Sequence, residues 1–183
     1  MSSTESVNIN HALSGIKVLD FTQIGAGPLI GMQLGDMGAE VIKVESPGGD
    51  IGRKLGPPWQ AGESVVSMSF NRNKRSLSVD LKKTEGVALI KRMAAQADIV
   101  LESFRPGVME SLGLGPDVCL ARRPSLVYGR VTGWGQTGPL AQAAGHDLNY
   151  IAISGALHAM GRKDDAPAPP LNLVGDYGGG SLY

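Results

Sequence analysis

Short apolar runs alternate with longer amphipathic segments along most of the chain. Residues 15–21 (GIKVLDF) and 39–45 (AEVIKVE) are rich in β-branched residues and predict two strands. Between them, residues 30–37 carry apolar side chains at i, i+4 and i+7, with Pro28 in the first turn and Gly38 after the last. Strands joined by a helix run parallel, so this stretch predicts a β-α-β unit.

The same alternation continues in the middle of the chain. Residues 64–82 predict extended structure, residues 84–96 a helix, and residues 97–104 (ADIVLESF) a strand. Residues 125–131 (SLVYGRV) predict a further strand. Strands that alternate with helices indicate an α/β fold, an open sheet with flanking helices on both faces.

Composition narrows the class of protein. The chain has 183 residues, of which 42% are hydrophobic and 19% charged, so it is long and apolar enough to bury a core. Its 17 basic and 17 acidic residues balance, which argues against a nucleic-acid or membrane partner. Cys119 is the only cysteine, so we expect a core thiol and a cytoplasmic protein. We also expect residues 1–14 to form a flexible leader and residues 15–183 the folded unit.

Three glycines, Gly25, Gly27 and Gly31, follow the first predicted strand and precede Glu45 at the end of the second. This order resembles the fingerprint of a dinucleotide-binding loop. The spacing is one residue too long, however, and Pro28 removes a backbone N–H that such a loop offers to a pyrophosphate. A tight turn that lets helix and strand pack closely is the alternative, and we favour it.

A basic cluster lies in the middle of the chain. Arg72, Lys74 and Arg75 fall within four residues. Such a cluster is usually a solvated loop. Further cations stand near predicted strand ends, where open α/β sheets bind ligands, so a phosphate-bearing ligand is the second interpretation. These cations are Lys43, Lys82 and Arg105.

Two titratable residues in the last third of the chain are flanked by glycines. His146 stands in GHDLNY (145–150), and Asp176 precedes three consecutive glycines. A lone histidine in an apolar segment is more often structural than catalytic, and an aspartate before a helix start is often an N-cap. If the two converge, an imidazole and a carboxyl group together provide the means to move a proton onto and off one carbon.

Six strings of residues resemble the class III CoA-transferase family (CaiB/BaiF-type, formyl-CoA transferase-like). Four of them are GIKVLDFTQIGAGP, GAEVIKVESPGGD, ADIVLESFRPGVMESLGLG and GHDLNYIAISG. The other two strings are NKRSLSVDLK and PLNLVGDYGGGS. The likeness runs from about residue 15 to residue 183 and is greatest to the family's α-methylacyl-CoA racemases. It implies a Rossmann-like domain, an interlocked homodimer, coenzyme A thioester substrates, and neither a metal ion nor a permanently bound cofactor.

The resemblance implies roles for three residues. Asp176 corresponds to the aspartate that is a nucleophile in the transferases and an acid–base group in the racemases. His146 corresponds to the second acid–base residue of the racemases, which the transferases lack. Gly25 stands where the transferases typically have a glutamine. These matches favour racemisation of 2-methylacyl-CoA thioesters, in lipid metabolism, over coenzyme A transfer to a carboxylic acid.

The resemblance also implies where coenzyme A binds. Ser46 replaces an arginine that usually lies near the phosphates, which leaves that role to Lys43 or Arg105. Backbone N–H groups of a helix beginning near residues 177–180 are expected to face the thioester oxygen. The full set of implied coenzyme A contacts is Lys43, Val79, Asp80, Leu81, Lys82, Ser103, Phe104, Arg105, Gly145, Asp147 and Tyr150.

Family members continue for about as many residues again beyond the region of likeness. The resemblance therefore implies that this chain corresponds to the N-terminal portion of the family fold, with the C-terminal half absent. We expect the 183-residue chain alone to be inactive, and a non-catalytic fragment is the third interpretation of its function.

Overall fold

The structure is a computed structural model, and it describes residues 11–60, 62–171 and 173–182. Within these residues, five strands form one sheet in which every neighbouring pair is parallel, in the order β3-β2-β1-β4-β5. The strands are β1 (Lys17–Asp20), β2 (Glu40–Glu45), β3 (Lys74–Ser78), β4 (Ile99–Glu102) and β5 (Val127–Arg130). The predicted α/β fold is confirmed.

In the described part of the chain, six α-helices connect or follow the strands: α1 (Ala26–Asp36), α2 (Val65–Phe70), α3 (Thr84–Ala94), α4 (Val108–Ser111), α5 (Pro116–Arg122) and α6 (Asp147–Ile153). Two short 3₁₀ turns span Ile51–Lys54 and Leu157–Ala159, and a π-helical segment spans Val174–Ser181. The extended structure predicted for residues 64–82 is wrong in its first half. Ser64 accepts a hydrogen bond from the Ser67 N–H (3.1 Å), and this N-cap starts α2 where the residue pattern suggested a strand.

Apolar side chains pack on both faces of the sheet. Alternate residues of β1 point to opposite faces, so Val18 packs with α1 and Leu19 packs with the helices on the other face. The larger core, on the face of Leu19, collects residues from α3, α4 and α5, among them Ile90, Met109 and Cys119. Cys119 is buried, as expected of a core thiol, and burial raises its pKa.

The N-terminal boundary of the fold lies earlier than predicted. Residues 1–10 of the predicted leader fall outside the described part of the chain. Leu13 packs against the core on the α1 face, and its N–H donates to the Met37 carbonyl (2.9 Å). Residues 11–14 are therefore part of the folded unit.

The strand order fixes where a ligand crevice forms. The chain builds β1, β2 and β3 towards one edge of the sheet and then crosses back to place β4 on the other side of β1. The loops that follow β1 and β4 diverge at this switch point, which is where open α/β sheets bind ligands. The two loops are joined there by the Gln23 N–H, which donates to Ser103 Oγ (3.0 Å). Within the described residues, no helix is long and apolar enough to cross a bilayer.

Candidate functional site

A cleft of about 840 Å³ opens at the carboxyl edge of the sheet, beside the switch point. Its walls come from the loops after β1, β4 and β5, from the start of α6 and from the π-helical segment. Both candidate acid–base residues, His146 and Asp176, line it. The segments 23–27, 103–104, 131–133, 145–148 and 175–177 contribute most of the lining.

Buried polar groups hold the loop that forms the floor of the cleft. Lys43 Nζ donates to the Thr22 carbonyl (2.8 Å) and pairs with Asp50 (2.7 Å). Asp50 Oδ1 in turn accepts from the Ile24 N–H (3.3 Å). Ile24 has φ +75°, a left-handed conformation that a β-branched residue rarely adopts. Backbone strain of this kind persists only where the surroundings fix it, and it is concentrated at ligand sites.

His146 lies on the surface of the cleft at the start of α6. It is the N-cap residue, with extended backbone angles, and its N–H donates to Asn149 Oδ1 (3.0 Å). Its side chain is exposed, so the alternative of a buried core histidine does not hold. The glycine-flanked turn predicted for residues 145–150 is in fact the first turn of a helix. An exposed imidazole on a cleft wall is free to exchange protons with a bound ligand.

Asp176 lies inside the π-helical segment, third from its start, and its side chain is half-buried. The prediction that a helix begins after Asp176 is therefore wrong, and so is the N-cap interpretation. The Tyr177 N–H donates to the Leu173 carbonyl (2.9 Å), so it is not available to a thioester oxygen as expected. Burial raises the pKa of Asp176, and the charge of Asp147 raises it further, against the opposing effect of His146.

Two tyrosines that flank Asp176 narrow the cleft. Tyr150 packs edge-on against Trp134 with ring centroids 5.0 Å apart, and Tyr177 packs against Phe70 at 5.3 Å. Burial raises the pKa of both hydroxyls, and the charge of Asp176 adds to this. The residue pattern does not single out Tyr177, and its one signal in the sequence is its position beside Asp176 in the string DYGGG.

The glycines of the β1–α1 turn pack closely against other groups. A Cβ on Gly27 would lie 2.4 Å from Cβ of Thr22, and a Cβ on Gly31 would lie 2.4 Å from Oδ2 of Asp20. A Cβ on Gly25 would lie 3.2 Å from the Tyr177 hydroxyl. Close packing thus accounts for these glycines. Glu45, the residue that a ribose would need, is buried and bound to Arg53, which argues against the dinucleotide interpretation.

The structure divides the implied coenzyme A contacts into two groups. Five of them line the cleft: Ser103, Phe104, Gly145, Asp147 and Tyr150. Six others do not line it: Lys43, Val79, Asp80, Leu81, Lys82 and Arg105. Within the second group, Lys82 and Arg105 are exposed near the ends of β3 and β4, at the same edge of the sheet, so their predicted contacts with phosphates remain sterically possible.

The placement of Lys43 does not fit a phosphate ligand. Only 3% of its side chain is exposed, and its ammonium group is already bound to Asp50 and to a backbone carbonyl. Val79 is likewise buried in the core, and Leu81 packs against that core. Asp80 accepts a hydrogen bond from the Lys82 N–H (3.0 Å). The side chains of Lys43, Val79 and Leu81 are therefore occupied within the fold, and Lys43 does not bind phosphate as expected.

The basic cluster is also neutralised by the fold. Arg72 pairs with Asp36 and Arg75 with Glu40, both on the surface. Lys74 is buried and pairs with Asp20 (2.8 Å). The cluster therefore does not offer free cations to a phosphate, contrary to the second interpretation of that stretch. In the part of the chain that the structure describes, no group of three or more histidine, cysteine or acidic side chains could hold a metal ion.

The chain is similar to known proteins over most of its length. The model of CoA-transferase family III matches residues 13–183. Alpha-methylacyl-CoA racemase of Mus musculus is 45% identical over 93% of this chain and 41% of its own length. Succinyl-CoA:glutarate CoA-transferase of Homo sapiens is also 45% identical, over 93% of this chain and 39% of its own length. The chain thus spans about two fifths of the length of these relatives.

Solved structures agree with the fold. The structure of a CAIB/BAIF family protein from Brucella suis superposes with a TM-score of 0.86 at 38% identity, over 92% of this chain and 46% of that one. A hypothetical protein from Mycobacterium tuberculosis superposes with a TM-score of 0.80 at 43% identity, over 91% and 46% of the two chains.

Proposed function

The chain belongs to CoA-transferase family III, and on that premise we propose that it contributes the acid–base residues of an enzyme that racemises 2-methylacyl-CoA thioesters. The observation that carries this proposal is that His146 and Asp176 line one cleft at the switch point of the sheet. An imidazole and a carboxyl group on one cleft can act on the same carbon of a bound substrate.

Racemisation requires that a proton leave one face of the α-carbon and another arrive on the opposite face. In one direction His146 takes the α-proton, and the electrons of the broken C–H bond move onto the thioester oxygen as an enolate. Protonated Asp176 then gives its proton to the α-carbon from the other face. In the reverse direction the ionised Asp176 is the base and the imidazolium of His146 is the acid.

The surroundings of Asp176 suit a carboxyl group that is protonated in one direction of racemisation and ionised in the other. Burial and the nearby charge of Asp147 raise the pKa of Asp176, which favours its protonated form. The protonated carboxyl group acts as the acid in one direction, and the ionised group, which attack on a thioester would also require, acts as the base in the other. The exposed imidazole of His146 supplies the matching base.

Coenzyme A transfer is the second candidate, because relatives at 45% identity include a CoA-transferase. In that reaction the Asp176 carboxylate attacks the thioester carbonyl, and a mixed anhydride forms as the coenzyme A thiolate leaves. The thiolate then attacks the aspartyl carbonyl of the anhydride, which releases the donor acid and leaves an aspartyl-CoA thioester. The acceptor carboxylate attacks this thioester to form a second anhydride, and the released thiolate attacks its acyl carbonyl, which gives the new acyl-CoA and regenerates the Asp176 carboxylate. This candidate gives His146 no role. A non-catalytic chain is the third possibility.

The substrate's coenzyme A portion is proposed to extend from the cleft along the carboxyl edge of the sheet, where Lys82 follows β3 and Arg105 follows β4. Ser103, Phe104, Gly145 and Tyr150 line the cleft and would contact the thioester end. Exposed Lys82 and Arg105 would meet the phosphates. The homodimer and the role in lipid metabolism, which the resemblance implies, belong to the same proposal, as does the cytoplasmic location, which the single cysteine suggests.

The experiment is α-proton exchange in deuterated water. The chain, produced together with the C-terminal half that the resemblance implies, is incubated with each enantiomer of a 2-methylacyl-CoA, and mass spectrometry follows deuterium at the α-carbon. We expect incorporation from both enantiomers. Coenzyme A transfer to an added carboxylic acid without deuterium incorporation would instead establish the second candidate, and neither reaction would establish the third.

Two variants test the residue roles. His146→Ala should slow exchange by about 10²–10⁴-fold, the usual contribution of a general acid–base group. Asp176→Asn should slow it comparably. His158→Ala is the matched control, because His158 is exposed outside the cleft and should leave exchange unchanged. Unchanged exchange in His146→Ala would exclude the racemase assignment of that residue.

A further inference from the structure

One hydrogen bond connects Asp176 to Asp147, the residue that follows His146. Asp147 is the first residue of α6 and directly follows His146. Its side chain is buried, and its Oδ1 accepts a hydrogen bond from the N–H of Asp176 (2.8 Å), 29 residues further along the chain. Asp147 therefore follows His146 in the chain and holds Asp176 through its own carboxylate.

Packing around this bond leaves little space. A Cβ on Gly175 would lie 3.1 Å from both the carbonyl oxygen and Oδ1 of Asp147, and equally close to Ile151. On the opposite side, Ser181 Oγ donates to the Ala26 carbonyl (2.7 Å) and fixes the π-helical segment to α1. The segment is thus held from two sides, and Asp147 provides the polar contact on the α6 side.

A purely local role is the alternative explanation for Asp147. An acidic residue in the first turn favours a helix by interacting with its dipole. However, among the described residues the hydrogen bond accepted by the Asp147 carboxylate comes from Asp176 and not from the first turn of α6. A residue that served only α6 would have no need of this partner.

The charge of Asp147 also acts on Asp176. Burial raises the pKa of Asp176 most, the Asp147 charge raises it further, and His146 and the Asp147 backbone N–H oppose them. The remaining titratable groups beside Asp176 are the hydroxyls of Tyr150 on α6 and Tyr177 on the π-helical segment. Both hydroxyls are neutral at ordinary pH, so Asp147 is the group that adds negative charge.

We propose that Asp147 is a positioning residue for the acid–base pair, which fixes Asp176 relative to His146 and keeps a negative charge beside the Asp176 carboxyl group. This inference rests on the proposed function. It replaces the coenzyme A contact expected for Asp147, because the carboxylate is already engaged with Asp176. Asp147 itself does not touch the reacting carbon.

Two substitutions separate the two roles. Asp147→Asn keeps an oxygen that can accept the Asp176 N–H but removes the charge. Asp147→Ala removes both. The matched control is Asp117→Asn, the same chemical change in the first turn of another helix, α5, at an exposed position. All three variants remove one carboxylate from the first turn of a helix, so general effects on helix charge cancel in the comparison.

The first measurement does not depend on activity. Carbon-13 NMR of the aspartate carboxyl groups gives the pKa of Asp176, with Asp176→Asn to assign the resonance. We expect a lower Asp176 pKa in Asp147→Asn and no shift in Asp117→Asn. An Asp176 titration that is the same in wild type and Asp147→Asn would overturn the electrostatic part of the inference, whatever the enzyme does.

The second measurement is the pH dependence of α-proton exchange. For the enantiomer that is reprotonated by Asp176, the rate falls as pH rises through the Asp176 pKa, so this fall should occur at lower pH in Asp147→Asn. In Asp147→Ala we expect kcat to fall about 10–10²-fold with a smaller change in KM, because misplacing a catalytic group by about 1 Å has that effect.

The outcomes distinguish the inference from the function on which it rests. If Asp147→Ala exchanges at the wild-type rate while His146→Ala does not, the function stands and the positioning role is excluded. If the Asp176 pKa shifts as expected but wild type shows no exchange, the coupling stands and the racemase proposal fails. Should Asp147→Ala fail to fold, the NMR titration of Asp147→Asn still decides the charge effect.

Discussion

Lys43 Nζ lies 2.7 Å from Asp50 Oδ2, and the side chains of both residues are almost completely buried. The same nitrogen donates to the Thr22 carbonyl (2.8 Å), while Asp50 Oδ1 accepts from the Ile24 and Gly52 N–H groups. A single buried ion pair thus joins β2 and the 3₁₀ turn to the loop that forms the floor of the cleft.

Breaking this pair from one side should destabilise the protein strongly. Lys43→Met leaves Asp50 as a buried charge without its partner, which costs about 3–5 kcal/mol of unfolding free energy. Urea denaturation followed by circular dichroism measures it. Lys82→Met is the control, because Lys82 is exposed and its loss should change stability by less than about 0.5 kcal/mol. Equal changes in unfolding free energy for the two substitutions would show that the buried ion pair stabilises the fold no more than an exposed lysine does.

Acid should weaken the fold through Glu45. Burial opposes its ionisation, but hydrogen bonds from Arg53, Ser76 and the Asp50 N–H prevail and lower its pKa to about 2. A carboxyl group whose pKa is lowered by folding contributes stability above its unfolded pKa of 4.5 and loses it as pH falls towards 2. Denaturation between pH 5 and pH 2 should therefore be less pH-dependent in Glu45→Gln. Parallel curves for wild type and variant would contradict this.

The space around Gly27 is too small for a side chain, so Gly27→Ala should destabilise the protein. In Gly27→Ala the new methyl group would meet Thr22 at 2.4 Å, and Thr22 is buried. We expect a loss of about 1–3 kcal/mol, as for other overpacked cores. Gly178→Ala offers the comparison, since nothing lies within 4 Å of its added Cβ. Thermal unfolding of both variants tests the difference, and a Gly27→Ala midpoint at or above that of Gly178→Ala would be inconsistent with the packing.

Relief of strain at Ile24 should raise stability. Its φ of +75° is unfavourable for a β-branched residue, and nearly half of its side chain is exposed, so little burial is lost on truncation. Ile24→Gly should stabilise the fold by up to about 1 kcal/mol, since glycine adopts this conformation freely. Ile51→Gly is the contrasting substitution, because Ile51 is similarly exposed but lies in a 3₁₀ turn. If calorimetry shows that Ile24→Gly is less stable than Ile51→Gly, backbone strain at Ile24 is excluded.

The residue pattern predicts the sheet well because strands β1, β2, β4 and β5 carry their own apolar runs. It fails at α2, since the sequence Val65–Phe70 mixes β-branched and polar residues, and the Ser64 N-cap outweighs its strand propensity. Local preference is a weak guide when a cap and tertiary contacts act against it.

Long-range pairing explains the errors in the site. Lys43 and Lys74 look like free cations in the sequence, but Asp50 and Asp20 neutralise them through contacts that no periodicity encodes. The pairing of Asp147 with Asp176 across 29 residues is equally invisible. Flanking glycines make His146 and Asp176 candidates in the sequence, and the resemblance to the family implies their acid–base roles.

The π-helical segment has a consequence for how this region can vary. Insertion of a single residue into an α-helix is enough to create one π turn, and deletion of one residue removes it. Each residue of an α-helix turns by about 100°, so one deletion between Val174 and Asp176 would rotate the carboxyl group by roughly that angle relative to the residues before it. The number of residues in this segment therefore matters as much as the identity of Asp176. A family member that kept the aspartate but lost one residue before it would no longer direct the carboxyl group into the cleft.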